Sequence, residues 1–356
     1  MTNSYEILMR LLHVALCDDA ELSLPADVNW TEVMDLSYQQ GVAALAVDGV
    51  QKFIESCPES VSGLDAPEFE EAWNEWLGQS LIEEMSYFER ESVTKRLARM
   101  WSAEGVSTVI LKGASISQYY PCPYHRFSCD LDLFLGDEWE KGCSALERHG
   151  VDVSYEIYKD AQFHVKGVYV ECHRYLMSIR GNDTLRRCEL YLRSLLREGL
   201  VKTDVESLYM PSLMFNVIFC IEHARGHLLY DKLNLRFVCD WIVLRRQAVD
   251  WDEFWRRCDE FGFRRFAELF DSLADLLEGK LSYEDLSPAG KRVVDEMMAG
   301  EKEEEASPDS FFKRRVRQMF RTLRNGWKYR EFNDVSMPVS LVRQIWTHFF
   351  DKKVKL

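Results

Sequence analysis

The hydrophobic pattern of this chain changes period at Gly105 and changes back near Asp183, and that double switch limits the folds open to it. Before Gly105, apolar residues recur at helical spacing: Ile7, Leu8, Leu11, Leu12 and Ala15 first, then Trp30, Val33, Met34 and Ser37 behind Asn29 as an N-cap. Gly41 interrupts the pattern and 42–53 resumes it, while 57–67, with Pro, Ser and Gly, reads as a loop. Phe69, Trp73, Trp76, Leu77, Leu81, Met85 and Phe88 then mark a helix over 68–101, long enough to cross a whole domain. Between the switches the runs are short. Residues 106–111, 130–135, 151–157, 161–165 and 168–173 read as strands, with Gly167 turning between the last two. A Lys112-Gly113-Ala114 turn leads into a short helix through Ile116 and Tyr119 that Pro121 and Pro123 end, and 139–149 reads as a further helix. Helical spacing returns over 185–196, 213–229, 235–246, 251–261 and 263–277, and again in the tail at 311–323 and 339–350. The expected fold class is α+β. A small mixed-sheet core at 105–180 is embedded in helical lobes at 1–104 and 181–299, followed by an acidic linker and basic helical tail at 300–356.

Charge restricts the partners. The chain of 356 residues carries a formal −15, but 308–356 holds twelve Lys/Arg against four Asp/Glu, so the tail is +8 and the rest −23. An acidic body disfavours extended nucleic-acid binding, because backbone phosphates demand positive charge. The tail reads as a solvated helix that pairs with the acidic body, or as a contact for a phosphate-bearing partner. Ten scattered cysteines form no Cys-x-x-Cys pair, and many lie in apolar runs such as Phe219-Cys220-Ile221, where a thiol packs as a small hydrophobe. Without a signal peptide or a membrane-length apolar run, the expectation is a reduced, cytoplasmic protein.

The chemistry concentrates in Cys129-Asp130-Leu131-Asp132-Leu133-Phe134-Leu135. Residues two apart on a strand share a face, so Asp130 and Asp132 point together while the leucines enter the core. Paired carboxylates repel unless a cation neutralises them, and oxygen ligands select Mg²⁺ or Mn²⁺. Three features accompany the pair. The strand at 106–111 runs into Lys112-Gly113-Ala114-Ser115 at a helix N-terminus, where free amides suit phosphate oxygens. Arg126 lies four residues before Asp130, able to aid a phosphate or brace the loop. Glu171 sits on a later strand as a third carboxylate, with His173 two residues on and leaning to the same face. By contrast, His223 and His227 lack a third zinc ligand; they read as a polar patch facing the cleft, and Asp240 as a partner for Arg236.

The run Val109-Ile110-Leu111-Lys112-Gly113-Ala114, then Tyr120-Pro121, Arg126, Asp130-Leu131-Asp132-Leu133 and Glu171-Cys172-His173, resembles an uncharacterised bacterial family of DNA-polymerase-β-type nucleotidyltransferases. Trp30, Gly41-Val42, His223, His227, Arg236, Asp240 and Trp251 extend the similarity over roughly 30–277. One departure stands out: better-known relatives have Gly-Ser or Gly-Gly at the turn, where this chain has Gly113-Ala114.

The resemblance implies an enzyme that moves a nucleoside monophosphate from a Mg²⁺-bound NTP to a hydroxyl acceptor and releases pyrophosphate. It implies Asp130, Asp132 and Glu171 as catalytic metal ligands, with Lys112, Gly113, Ala114, Ser115 and Arg126 around the phosphates. The acceptor is open among a protein, a small molecule and an RNA end. The Gly113-Ala114 departure also admits a nucleotide-binding or interaction module without turnover, such as a toxin–antitoxin component.

Overall fold

The structure is a computed structural model that describes residues 3–17, 24–25, 28–56, 67–156, 160–179, 182–299, 324–333, 338–339 and 342. The expected 300–308 linker, the 311–323 helix and almost all of the 339–350 helix lie outside the described residues. The N-terminal lobe is four helices: α1 (Asn3–Leu16), α2 (Trp30–Gln39), α3 (Ala43–Ser56) and α4 (Pro67–Ala103). Asn29 caps α2 by accepting from the Glu32 amide at 3.1 Å, which satisfies one of the orphan donors of the first turn. At 37 residues, α4 runs about 55 Å. Its first half packs Phe69 and Trp76 into the helical core, and its second half packs Val93, Leu97 and Trp101 under the sheet. It therefore joins both halves of the molecule. Between those ends Leu81, Ile82, Met85 and Phe88 face solvent rather than the core.

The sheet contains β1 (Thr108–Ile110), β2 (Leu131–Phe134), β3 (Ser154–Glu156), β4 (Asp160–Val165), β5 (Val168–His173), β6 (Val201–Lys202) and β7 (Leu208–Met210), in the order β3-β4-β5-β2-β1-β7-β6. It is mixed: β2 runs parallel to β5, and β1 parallel to β7, while the remaining pairs are antiparallel. Lys166 and Gly167, with φ of 50° and 85°, close the two-residue β4–β5 turn, the positive-φ pair that matches strand twist. The strands β6 and β7 lie between the helices expected over 185–196 and 213–229, in a stretch whose pattern is too short to announce them. The strand expected over 130–135 begins at Leu131, so Asp130 occupies the bend before it.

Two short helices accompany the sheet: α5 (Lys112–Ile116) follows β1, and α6 (Trp139–Arg148) follows β2. One face of the sheet buries Leu131, Leu133, Val170 and Cys172 against α4 and α6. The opposite face turns toward the C-terminal helices α7 (Asp183–Glu198), α8 (Leu213–Tyr230), α9 (Leu235–Arg245), α10 (Trp251–Glu260), α11 (Arg264–Leu277), α12 (Pro288–Met298) and a helix from the tail, α13 (Gly326–Phe332). α13 docks through Trp327 and Phe332, and its Lys328 pairs with Glu296 at 2.6 Å, so this part of the basic tail does bind the acidic body. Among the described residues no helix is long and apolar enough to cross a membrane, and all nine described cysteines are free.

Candidate active site

Strand alternation builds the polar centre. On β2 the leucines at 131 and 133 enter the lower core, which leaves Asp132 on the upper face. The parallel β2–β5 register places Asp132 opposite Glu171, and His173 follows two residues later on the same side. Lys112 arrives from the other flank. The strand β1 pairs antiparallel with β2, the Leu111 amide donates to the Asp132 carbonyl at 3.0 Å, and the chain then turns with Lys112 at φ 46°. A lysine in the left-handed region costs of order 1–3 kcal/mol, which the surrounding contacts must sustain.

The four side chains converge. Lys112 Nζ donates to Asp132 Oδ1 and lies 3.4 Å from His173 Nε2 and 3.9 Å from Glu171 Oε2. His173 Nε2 is 2.6 Å from Asp132 Oδ1 and 3.7 Å from Glu171 Oε2. The His173 and Asp132 side chains are 0% and 3% exposed, Lys112 13% and Glu171 20%, so Glu171 is the carboxylate that solvent reaches. Burial alone would raise the Asp132 carboxyl, but the Lys112 ammonium and the His173 hydrogen bond outweigh it and hold Asp132 well below the usual carboxylate range. Burial likewise opposes the charge on Lys112, yet Asp132, with Asp130 and Glu171 behind it, keeps the ammonium more basic than usual. Glu171 moves the other way: burial pushes it up, Lys112 offsets part of that, and Asp132, Asp160 and Asp130 add repulsion. One face thus holds a firmly ionised carboxylate beside a carboxylate that is easier to protonate.

Asp132, Glu171 and His173 each offer a donor atom, all within 4.8 Å of one another, which fits a divalent cation. The carboxylate oxygens suit Mg²⁺ or Mn²⁺. Asp130 is not in that set. It is half-buried in the bend, where Ser128 Oγ reaches its Oδ1 at 3.3 Å, and it acts on Lys112 and Glu171 through its charge.

The residues expected around phosphates divide into two groups. Gly113 and Ala114 open α5 beside Lys112. Ser115 is fully buried, with its hydroxyl 2.9 Å from the Lys112 carbonyl and 3.0 Å from Asn216 Oδ1, so it ties α5 to α8. Arg126 is buried as well: Nε meets Asp240 Oδ1 at 2.9 Å and Nη2 meets Oδ2 at 2.7 Å. Asp240 also accepts from Tyr120 at 2.7 Å. Asp240 thus accepts its hydrogen bonds from Arg126 and Tyr120, where the sequence suggested Arg236 as its partner. The two residues of the pair stand 114 positions apart, a separation at which no local pattern can reveal a contact.

Helix α8 carries His223, which packs against Phe219, His227 and Phe237 and feels the charges of Lys112 and Asp132. Burial, then the charge of Lys112 and the neighbouring His227, keep it neutral well below its ordinary pKa. Among the described residues, the side-chain groups suited to a metal include neither His223 nor His227.

A mixed sheet that carries carboxylates on two adjacent parallel strands, with a lysine and a glycine turn beside them, defines an α+β protein with a charged centre between its sheet and its helical lobe. The family model for an uncharacterised nucleotidyltransferase matches residues 26–279, and the chain belongs to that family. No curated protein and no solved structure matches it.

Proposed function

We propose that the protein transfers a nucleoside monophosphate from an NTP to a hydroxyl acceptor. The observation that carries this reading is the register of Asp132 against Glu171 with Lys112 on the same face. Asp132 and Glu171, with Asp130 approaching from the bend, would hold a Mg²⁺ or Mn²⁺, which would supply charge neutralisation and orientation of the phosphates. The chain's own residues do the rest. Lys112 swings from Asp132 to the phosphate oxygens and balances their charge. Gly113 and Ala114 present backbone amides at the mouth of α5. Ser115 and Arg126 act from below, the first by anchoring α5 to α8 and the second by bracing the loop that ends at Asp130. Glu171, the solvent-reached carboxylate, accepts the acceptor's proton as its oxygen bonds to the α-phosphorus. The bond from that phosphorus to the bridging oxygen breaks, and pyrophosphate leaves with the electron pair.

The test is intact-mass and pyrophosphate analysis of the purified protein with Mg²⁺ and each of the common NTPs, alone and with cell lysate. The expected result is nucleotide-dependent labelling of an acceptor that disappears in Asp132→Asn. Absence of both Mg·NTP binding and pyrophosphate release in the wild type overturns the reading.

A further inference from the structure

Away from the charged centre, the turn that precedes Arg126 carries a second set of metal-binding side chains. Cys122-Pro123-Tyr124-His125 puts a thiol and an imidazole three residues apart on one short turn, whose ends are tied by the His125 amide donating to the Cys122 carbonyl at 3.1 Å. Asp48 reaches this turn from α3 and Glu84 from α4. One donor atom each from Asp48, Cys122 and His125 falls within 4.8 Å of the others. The two ring nitrogens of His125 have different partners: Nδ1 lies 2.8 Å from Asp48 Oδ2, and Nε2 lies 3.0 Å from Glu84 Oε1.

That division of labour is the arrangement of a metal-binding histidine. One nitrogen faces the other ligands, while the second donates its proton to a carboxylate that fixes the tautomer and makes the ring a better donor. Two carboxylates flank the imidazole, and a dication that displaces the thiol proton balances their charge. The ligand types are informative. Sulfur, nitrogen and oxygen together suit Zn²⁺ and disfavour Mg²⁺. Zinc bond lengths set tetrahedral edges of roughly 3.3–3.8 Å, so the 2.8 Å Nδ1–Oδ2 contact has to lengthen, a small side-chain adjustment for donors that all lie within 4.8 Å of one another. Three protein ligands leave the fourth position to water.

We infer that Asp48, Cys122 and His125 form a Zn²⁺ site, with Glu84 as the hydrogen-bond partner of His125, that pins α3 and α4 to the loop delivering Arg126 and Asp130. The site is independent of nucleotidyl transfer and of the Asp132 centre. Because Asp48 comes from α3, the outer partner Glu84 from α4 and the other two ligands from the loop, filling the site stiffens the loop that leads to Arg126 and Asp130 without touching the charged centre.

Co²⁺ titration of the full chain, purified under reducing conditions and stripped with chelator, tests this. The expected result is a thiolate-to-cobalt charge-transfer band that saturates at one equivalent and is bleached by Zn²⁺. The band is absent in Cys122→Ser and kept in Asp132→Asn. Glu84→Gln, which removes only the outer partner, weakens Zn²⁺ affinity by about 10–100-fold. Circular dichroism confirms that each variant is folded. A wild type without the band, or a band that survives in folded Cys122→Ser, overturns the proposal.

Discussion

Arg126 and Asp240 meet as a two-point ion pair, Nε to Oδ1 at 2.9 Å and Nη2 to Oδ2 at 2.7 Å, and so fasten the site loop to the helical lobe. Both side chains are nearly inaccessible, 6% and 3% exposed. Burial disfavours the charged guanidinium, but Asp240 outweighs that cost and keeps it more basic than usual. Removing one member of a buried pair strands the other charge, at about 3–5 kcal/mol. Asp240→Asn is therefore expected to lower the urea midpoint by that equivalent. Arg126→Met combined with Asp240→Leu should recover most of the loss, because no buried charge remains. A double variant as unstable as Asp240→Asn would count against this account.

Gly113 is small because Arg126 lies over it. A Cβ at position 113 would sit 2.1 Å from Arg126 Nη1 and 3.0 Å from both Cζ and Ser128 Oγ. A free arginine would move aside, but Asp240 holds this one. Gly113→Ala is expected to cost about 1–3 kcal/mol, the usual range for overpacking. The same change should cost less in an Asp240→Asn background, where the guanidinium is released. Non-additivity of that sign in a denaturation cycle is the measurement that checks it.

Acid stability should depend on Glu278, at the end of α11. Its carboxylate is 3% exposed and is gripped by Arg246 at 2.5 Å, by Lys280 at 2.7 Å, and by Arg245. Burial alone would raise its pKa, but these cations win and bring it down from 4.5 to about 2. A depressed carboxyl adds stability above its unfolded pKa and loses it as pH falls through the folded one. The contribution, on the order of 3 kcal/mol, is thus complete above pH 4.5 or so and fades toward pH 2. Thermal melts of the wild type should fall across that window more steeply than those of Glu278→Gln.

Much of this structure is legible in the sequence, and the exceptions share a cause. The period switch at Gly105 and the short apolar runs expose β1, β2, β4 and β5, because each is a largely buried strand with its own local pattern. The two-residue spacing of Glu171 and His173 correctly puts both on the face of Asp132. What escapes is set by distant partners. Strands β6 and β7 are two and three residues long and exist through pairing, β7 with β1, a hundred residues earlier in the chain. The exposure of Leu81, Met85 and Phe88 likewise has no local sign, since helical spacing gives a face without saying what covers it. Asp130 illustrates the limit on one residue: alternation with Asp132 presumes a strand at 130, and the chain is still bending there.

The charged centre makes a prediction that separates binding from chemistry. Asp132 touches Lys112 and His173 and is buried; Glu171 is the partly open member and stands 3.7–3.9 Å from those same two groups. If Asp132 organises the centre, Asp132→Asn leaves Lys112 without its closest anion, so nucleotide affinity and turnover should fall together. If Glu171 takes the acceptor's proton, Glu171→Gln keeps the shape and most of the polarity while losing the base. Turnover should then drop by roughly 10²–10⁴-fold, the range for removing a positioned acid or base, with Mg·NTP affinity changed far less. Calorimetric binding beside single-turnover rates makes the comparison. A Glu171→Gln protein that turns over like the wild type would assign the proton to another group, and equal losses of binding and rate would leave Glu171 only its part in holding the ion.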